Sequence, residues 1–190
     1  MTTQAAEKQK MVNGVDVDQL FATIEAIKGA PDIAKFQFRI RNKWINGGHN
    51  HTTITDFYGA GQDHQHEVAF ELKADEHQVL LGEDKGPNPV EYLLTGLTGC
   101  LTSALIYHAA ARGIKIKGIQ SRVEGDLDLR GFLGLSPDVK VGYENIRVYF
   151  KIDADVSEEQ KKELIEIAQK YSPVFNTVTN PTSVSVSLEK

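Results

Sequence analysis

The chain has 190 residues, of which 41% are hydrophobic and 25% are charged, as expected for a soluble globular protein. Its formal charge of −5 and its scattered basic residues argue against nucleic acid as a partner, because phosphate binding needs a clustered positive excess. The first fifteen residues lack the apolar segment of a secretory signal, and a single cysteine excludes an internal disulfide and a cysteine-based zinc site. We therefore expect a cytoplasmic protein.

The N-terminal part predicts a short helix followed by a group of strands. Asp16 or Asp18 is a suitable cap for the helix, which Gly29 and Pro31 end. The hydrophobic period then becomes two, and the turn at residues 46–48 predicts a hairpin. Two further strands are predicted at residues 68–72 and 78–81.

A long helix follows, and its start is well defined. Asn88 is a good N-cap, Pro89 suits the first helical position, and Glu91 is placed to cap the backbone of Asn88. Gly113 ends the helix. The apolar run at 92–111 is interrupted by glycine, threonine, serine and histidine, which favours a core helix over a membrane span.

The remainder predicts a strand, a loop, a strand, a helix and a closing strand. These elements lie at residues 114–129, 130–141, 145–152, 157–171 and 184–188. The complete order predicts an α+β fold with antiparallel sheets around the long helix.

The only cysteine, Cys100, lies in the middle of the long helix. Gly96 and Gly99 precede it, and each costs about 1 kcal/mol relative to alanine inside a helix. Either another helix packs tightly against these glycines, or a ligand approaches the thiol there.

Two motifs resemble those of the OsmC/Ohr family, the osmotically inducible and organic hydroperoxide resistance proteins. The first is GPNPVEYLLTGLTGC, residues 86–100, and the second is SPVFNTVTNP, residues 172–181. The resemblance covers residues 36–190 as an OsmC-like domain and leaves residues 1–35 as an N-terminal extension with a short helix.

The resemblance implies an intertwined homodimer with active sites at its interface. In hydroperoxide-reducing members one cysteine attacks the peroxide and a second forms a disulfide with the resulting sulfenic acid. Cys100 matches the attacking cysteine, whereas Ser172 stands in place of the second. The arginine of those members has no match within residues 47–51, and their acidic residue ten positions before the attacking cysteine is Val90 here. Glu91 matches a more widely shared carboxylate.

Three interpretations of Cys100 remain open. It is a peroxidase cysteine that reduces organic hydroperoxides with an external thiol, a weakly reactive residue in a pocket for an apolar small molecule, or an inert core residue. In the first case Arg39, Arg41, His49 or His51 is a candidate source of positive charge near the thiolate. No cofactor is expected.

Two His-X-His segments, 49–51 and 64–66, place pairs of imidazoles on one face of an extended strand. Paired strands would form a metal site from them, with Asp63 or Glu67 as a further ligand. The simpler interpretation is a solvated polar cluster. We adopt this interpretation, so no metal site is assigned.

Overall fold

The computed structural model describes residues 10–189, so the first nine residues of the predicted extension lie outside the described part. The helices are α1 (Val17–Gly29), α2 (Pro89–Ala111), α3 (Leu129–Phe132), α4 (Glu158–Tyr171) and α5 (Pro173–Thr179). The strands are β1 (Met11–Val12), β2 (Val15–Asp16), β3 (Gln37–Phe38), β4 (Arg41–Asn46), β5 (His49–Gly59), β6 (Gln62–Ala74), β7 (Ile116–Asp126) and β8 (Asn145–Ala154). The described residues divide into two compact units, 16–93 and 10–15 with 94–189.

The N-terminal helix is capped as predicted. The side chain of Asp16 accepts a hydrogen bond from the backbone N–H of Gln19 at 3.0 Å, and α1 ends at Gly29 before Pro31. The paired strands β1 and β2 are only two residues long and were not predicted from the sequence. Their turn is Asn13-Gly14, both with positive φ, and this dipeptide is the signal that would have located it. The boundary at residue 35 remains a prediction.

The first unit contains an antiparallel sheet centred on β5. Strands β3 and β4 pair with one edge of β5, and β6 pairs with the other. The predicted hairpin is therefore confirmed. The predicted strand at 78–81 is wrong, because Gln78–Leu80 is a 3-10 turn and the sheet ends with β6 at Ala74.

The second unit holds a hydrophobic core between α2, the antiparallel pair β7–β8, and α4. The buried face of α2 presents Leu97, Leu101 and Leu105, which pack with Ile152 of β8 and Leu164 of α4. By length and mean hydropathy α2 could also cross a membrane, but core helices of soluble proteins meet the same criteria.

The C-terminal part differs from the predictions in three places. Helix α3 begins one residue before the predicted loop, and α5 follows α4 directly, because Ser172 caps the new helix and Pro173 suits its first position. The predicted closing strand at 184–188 has no strand partner within residues 10–189. The side chains on one side of this segment are Val184, Val186 and Leu188, which are 80%, 95% and 93% exposed. The α+β class with antiparallel pairing is confirmed.

Candidate functional site

Cys100 is half-buried on α2 and does not belong to the hydrophobic core. Its sequence neighbour Leu101 is 2% exposed and points into that core. Since residues at adjacent helical positions point about 100° apart, the thiol lies beside the core rather than within it. Within residues 10–189, Cys100 therefore lies outside the cluster of buried core residues.

The helix surface beside the thiol is open. Gly96 and Gly99 are exposed, and a Cβ atom added at either would meet nothing within 4 Å beyond the helix itself. Ser103 and Tyr107 continue this exposed face along α2. We call these four residues the glycine face. Tight packing within the described chain does not explain the two glycines, so the face is available to a ligand or to another molecule.

Hydrogen bonds from the residues before α2 fix its first turn. The side-chain oxygen of Asn88 accepts a hydrogen bond from the N–H of Val90 at 3.0 Å, and Glu91 accepts one from the N–H of Asn88 at 2.8 Å. Glu91 thus acts as a cap, in agreement with the sequence analysis.

A buried carboxylate organises the loop that leads into this turn. Asp75 is 1% exposed, and its oxygens accept backbone hydrogen bonds from Glu76, Glu83 and Lys85 at 2.8, 3.2 and 3.1 Å. Burial alone would raise the pKa of Asp75. The three backbone hydrogen bonds and the nearby His49 lower it by more, so the pKa of Asp75 lies below its usual value. Glu76 then accepts a hydrogen bond from the side-chain amide of Asn88. Asp75 therefore holds the chain in the conformation that caps α2.

Ser172 has a structural role at the junction of α4 and α5. It is fully buried, its N–H bonds to the carbonyl of Ala168 at 2.9 Å, and its hydroxyl accepts from the N–H of Phe175 at 3.1 Å. One residue thus ends α4 and begins α5. A helix cap thus occupies the position at which the family resemblance places the second cysteine.

The two candidate arginines are already paired with carboxylates. Arg39 binds Asp56 at 2.7 Å and Asp63 at 2.6 Å, and the hydrogen bond with Asp63 is the main reason its pKa is raised. Arg41 approaches Asp56 at 3.5 Å. The pKa of Asp56 is lowered, chiefly by a hydrogen bond from Thr55 and further by both arginines. Their positive charge is therefore compensated within the sheet.

The two His-X-His segments lie at opposite ends of the same pair of strands. His51 is opposite Lys73, whereas His64 is opposite Phe57, six residues further along β5. The segments therefore do not combine into one site. The rings of His49 and His51 meet, with their Nε2 atoms 3.0 Å apart. Among the described residues, no three histidine, cysteine or carboxylate side chains are grouped as metal ligands.

Late in α2, His108 stacks on Tyr171 of α4 with ring centroids 4.7 Å apart. Burial lowers the pKa of His108, and the positive charge of Arg112 lowers it further. This imidazole is therefore neutral near pH 7 and serves as a packing residue between the two helices.

The family and the fold are established by comparison with known proteins. Residues 82–187 match the family described as OsmC-like protein. The structure is similar to an OsmC-like protein from Mycoplasma pneumoniae, with a TM-score of 0.58, 21% identity, and coverage of 75% of this chain and 87% of that one. It is also similar to an organic hydroperoxide resistance protein OsmC from Legionella pneumophila, with a TM-score of 0.52, 17% identity, and coverage of 74% and 89%. No curated protein matches the sequence significantly. The chain belongs to the OsmC-like protein family, which confirms the resemblance.

Proposed function

We propose that the protein is a one-cysteine, thiol-dependent peroxidase that reduces organic hydroperoxides through Cys100. The supporting observation is the half-buried thiol beside the open glycine face of α2. A reactive cysteine needs access to its substrate, and this position provides it.

The reaction uses two equivalents of an external thiol. The Cys100 thiolate attacks the terminal oxygen of the hydroperoxide, the O–O bond breaks, and an alcohol leaves as Cys100 becomes a sulfenic acid. A first thiol condenses with the sulfenic acid, releasing water and forming a mixed disulfide. A second thiol attacks that disulfide, releasing an external disulfide and restoring Cys100.

The proposed enzyme is a cytoplasmic homodimer. The open glycine face and the unpaired residues 184–188 are surfaces that a second copy of the chain would cover. A second copy would also bring its own charged groups to the interface. This matters for catalysis because Arg39 and Arg41 are already bound to carboxylates.

The decisive test is consumption of cumene hydroperoxide in excess dithiothreitol. We expect the wild-type protein to consume the peroxide faster than the uncatalysed reaction and the Cys100→Ser variant to add nothing. Ser103→Ala, which changes the same face without removing the thiol, is the matched control and should remain active. Equal rates for wild type and Cys100→Ser would refute the peroxidase.

An apolar cleft favours a second candidate function, the binding of a small molecule without turnover. It has a volume of about 200 Å³ and lies between α2, β8, α4 and α5. Its lining is mostly apolar and consists of Leu101, Ile146, Val148, Phe150, Ile165, Gln169 and Phe175. A small apolar ligand fits such a cleft. Saturable binding of an apolar fluorescent probe, reduced by Val148→Phe and accompanied by no Cys100-dependent peroxide consumption, would favour this function.

A further inference from the structure

We propose that His49 and His51 form a bidentate site for a divalent transition-metal ion of the copper(II) type. The proposal does not rest on the proposed peroxidase activity, and the site lies on the sheet of the first unit. The proposal rests on the direct contact between two imidazole rings on one strand.

The spacing of the two nitrogens matches that of two ligands on one metal ion. The Nε2 atoms are 3.0 Å apart, and the rings are inclined at 67° with centroids separated by 4.8 Å. With metal–nitrogen bonds of about 2.0–2.1 Å, two neighbouring ligands lie roughly 2.9 Å apart at a right angle and roughly 3.3 Å apart at a tetrahedral angle. The observed distance is close to the right-angle value, which is the square-planar geometry of copper(II) and nickel(II).

The strand holds the two rings next to each other. His49 and His51 are separated by one residue on β5, so both side chains project from the same face of the sheet. In the absence of metal, one Nε2–H donates to the other Nε2, so the rings hold opposite tautomers. A metal ion replaces that hydrogen bond when both protons reside on Nδ1. Each ring must also turn so that its Nε2 lone pair points at the metal ion instead of at the other nitrogen.

Charged groups around the pair act in opposite directions. The buried carboxylate of Asp75 lies near His49 and favours a cation. Lys43 and Lys73 lie opposite His51 on the two neighbouring strands, and their positive charges disfavour binding of a cation. Both lysines are exposed, so solvent screens their charge. Both oxygens of Asp75 already accept backbone hydrogen bonds, so the remaining metal positions are left to water.

The second His-X-His segment provides a matched control within the same chain. His64 donates its Nε2–H to the carbonyl of Gly59 at 3.0 Å, and the rings of His64 and His66 both pack against Phe57. The spacing in sequence is identical, but these imidazoles do not face each other. The proposal therefore concerns the geometry of the pair, and not merely the number of histidines.

The test is titration of the full chain with copper(II), followed by calorimetry and electron paramagnetic resonance at pH 7.5. We expect one tight equivalent with a signal from two coordinated nitrogens. His51→Ala should weaken binding about tenfold or more and leave one coordinated imidazole, whereas His64→Ala should change the affinity less than about twofold. Lys73→Gln should strengthen binding by removing a repulsive charge.

Three results would overturn the proposal. They are the absence of a tight copper equivalent, equal losses in His51→Ala and His64→Ala, and an unchanged nitrogen signal in His51→Ala. Circular dichroism of each variant confirms that it is folded. None of these measurements uses peroxide consumption, so a negative result leaves the proposed peroxidase unaffected.

Discussion

The side-chain oxygen of Asn13 accepts a hydrogen bond from the backbone N–H of Ile116 at 2.9 Å. The amide group of the same side chain donates to the carbonyl of Ile114, also at 2.9 Å. One asparagine in the β1–β2 turn thus satisfies two backbone groups at the start of β7. This two-way contact lies within the second unit and joins the N-terminal turn to the start of β7.

Replacing Asn13 with alanine should destabilise the protein by about 1–3 kcal/mol, because it leaves a part-buried donor and acceptor without their partners. Urea unfolding measures the loss. Asn42→Ala removes hydrogen bonds between exposed side chains and should cost less than about 0.5 kcal/mol. Equal losses would show that the contact of Asn13 contributes nothing specific.

Asp75 should make stability depend on pH in the acid range. Its pKa is lower in the folded protein than in the unfolded chain. Its contribution to stability is therefore complete above the unfolded pKa of about 3.9 and is lost as the pH falls towards the folded value. Asp75→Asn should lower Tm by several degrees at pH 7, and the difference from wild type should shrink in acid.

Thermal unfolding of Asp75→Asn across pH 7 to 3 tests this expectation. Asp32→Asn is the control, since this carboxylate is exposed and pairs with Lys35 one helical turn away. A constant difference between wild type and Asp75→Asn at every pH would contradict the role assigned to the ionised carboxylate.

Gly96→Ala and Gly99→Ala should each stabilise the isolated chain by up to about 1 kcal/mol, because alanine favours the helix and meets no neighbour. Each should nevertheless reduce peroxide consumption, since the added methyl groups occupy the face beside Cys100. Thermal unfolding of dilute protein and the peroxidase assay measure the two effects. Gly82→Ala is the contrasting control, because its Cβ would overlap the carbonyl of Glu76. Destabilisation of Gly96→Ala equal to that of Gly82→Ala would show that the face is not open.

Ser172→Cys should restore the second cysteine of the family pattern. After one equivalent of hydroperoxide, we expect the variant to form an internal disulfide, seen by mass spectrometry as a loss of two hydrogen atoms. Wild type should instead accumulate a sulfenic acid that dimedone traps. Ser172→Ala should lose about 1 kcal/mol of stability through the missing cap but still form the sulfenic acid. A persistent sulfenic acid in folded Ser172→Cys would contradict the family alignment at this position.

Val184→Lys combined with Val186→Lys should shift a dimer towards monomer, because both side chains are exposed in the single chain and apolar contacts favour their burial. Size-exclusion chromatography with light scattering measures the change. Ser185→Lys with Ser187→Lys adds the same charge on alternate positions of the segment and serves as the control. If both double variants shifted the dimer equally, a contact made only by the Val184 and Val186 side of this segment would be excluded.

Sequence patterns predicted the elements whose signals are local. Ser157 and Gln160, which form a capping box, are three positions apart, and the structure forms both hydrogen bonds of the box. Asn88 and Glu91 are equally close in sequence and are found as predicted. The strand predicted at 78–81 failed because Asp75 binds backbone groups up to ten residues away, and no local pattern reveals such a loop.

The candidate site was predicted less completely than the fold. Resemblance located Cys100 and Ser172, but it did not show that Ser172 is a buried cap. Arg39 was a candidate to stabilise a thiolate, yet its partner Asp63 lies 24 residues away, so the pairing could not be inferred from spacing. Long-range pairs of this kind decide the electrostatics of a site and appear only in three dimensions.

The buried hydroxyl of Ser172 has a kinetic consequence for the proposed reaction. Without a thiol at that position, the lifetime of oxidised Cys100 is set by the concentration of free thiols in the surroundings. Turnover then slows as that reservoir becomes depleted, and the fraction of protein held in the oxidised state rises. The rate of such an enzyme reports the reducing capacity of its environment as well as the supply of peroxide.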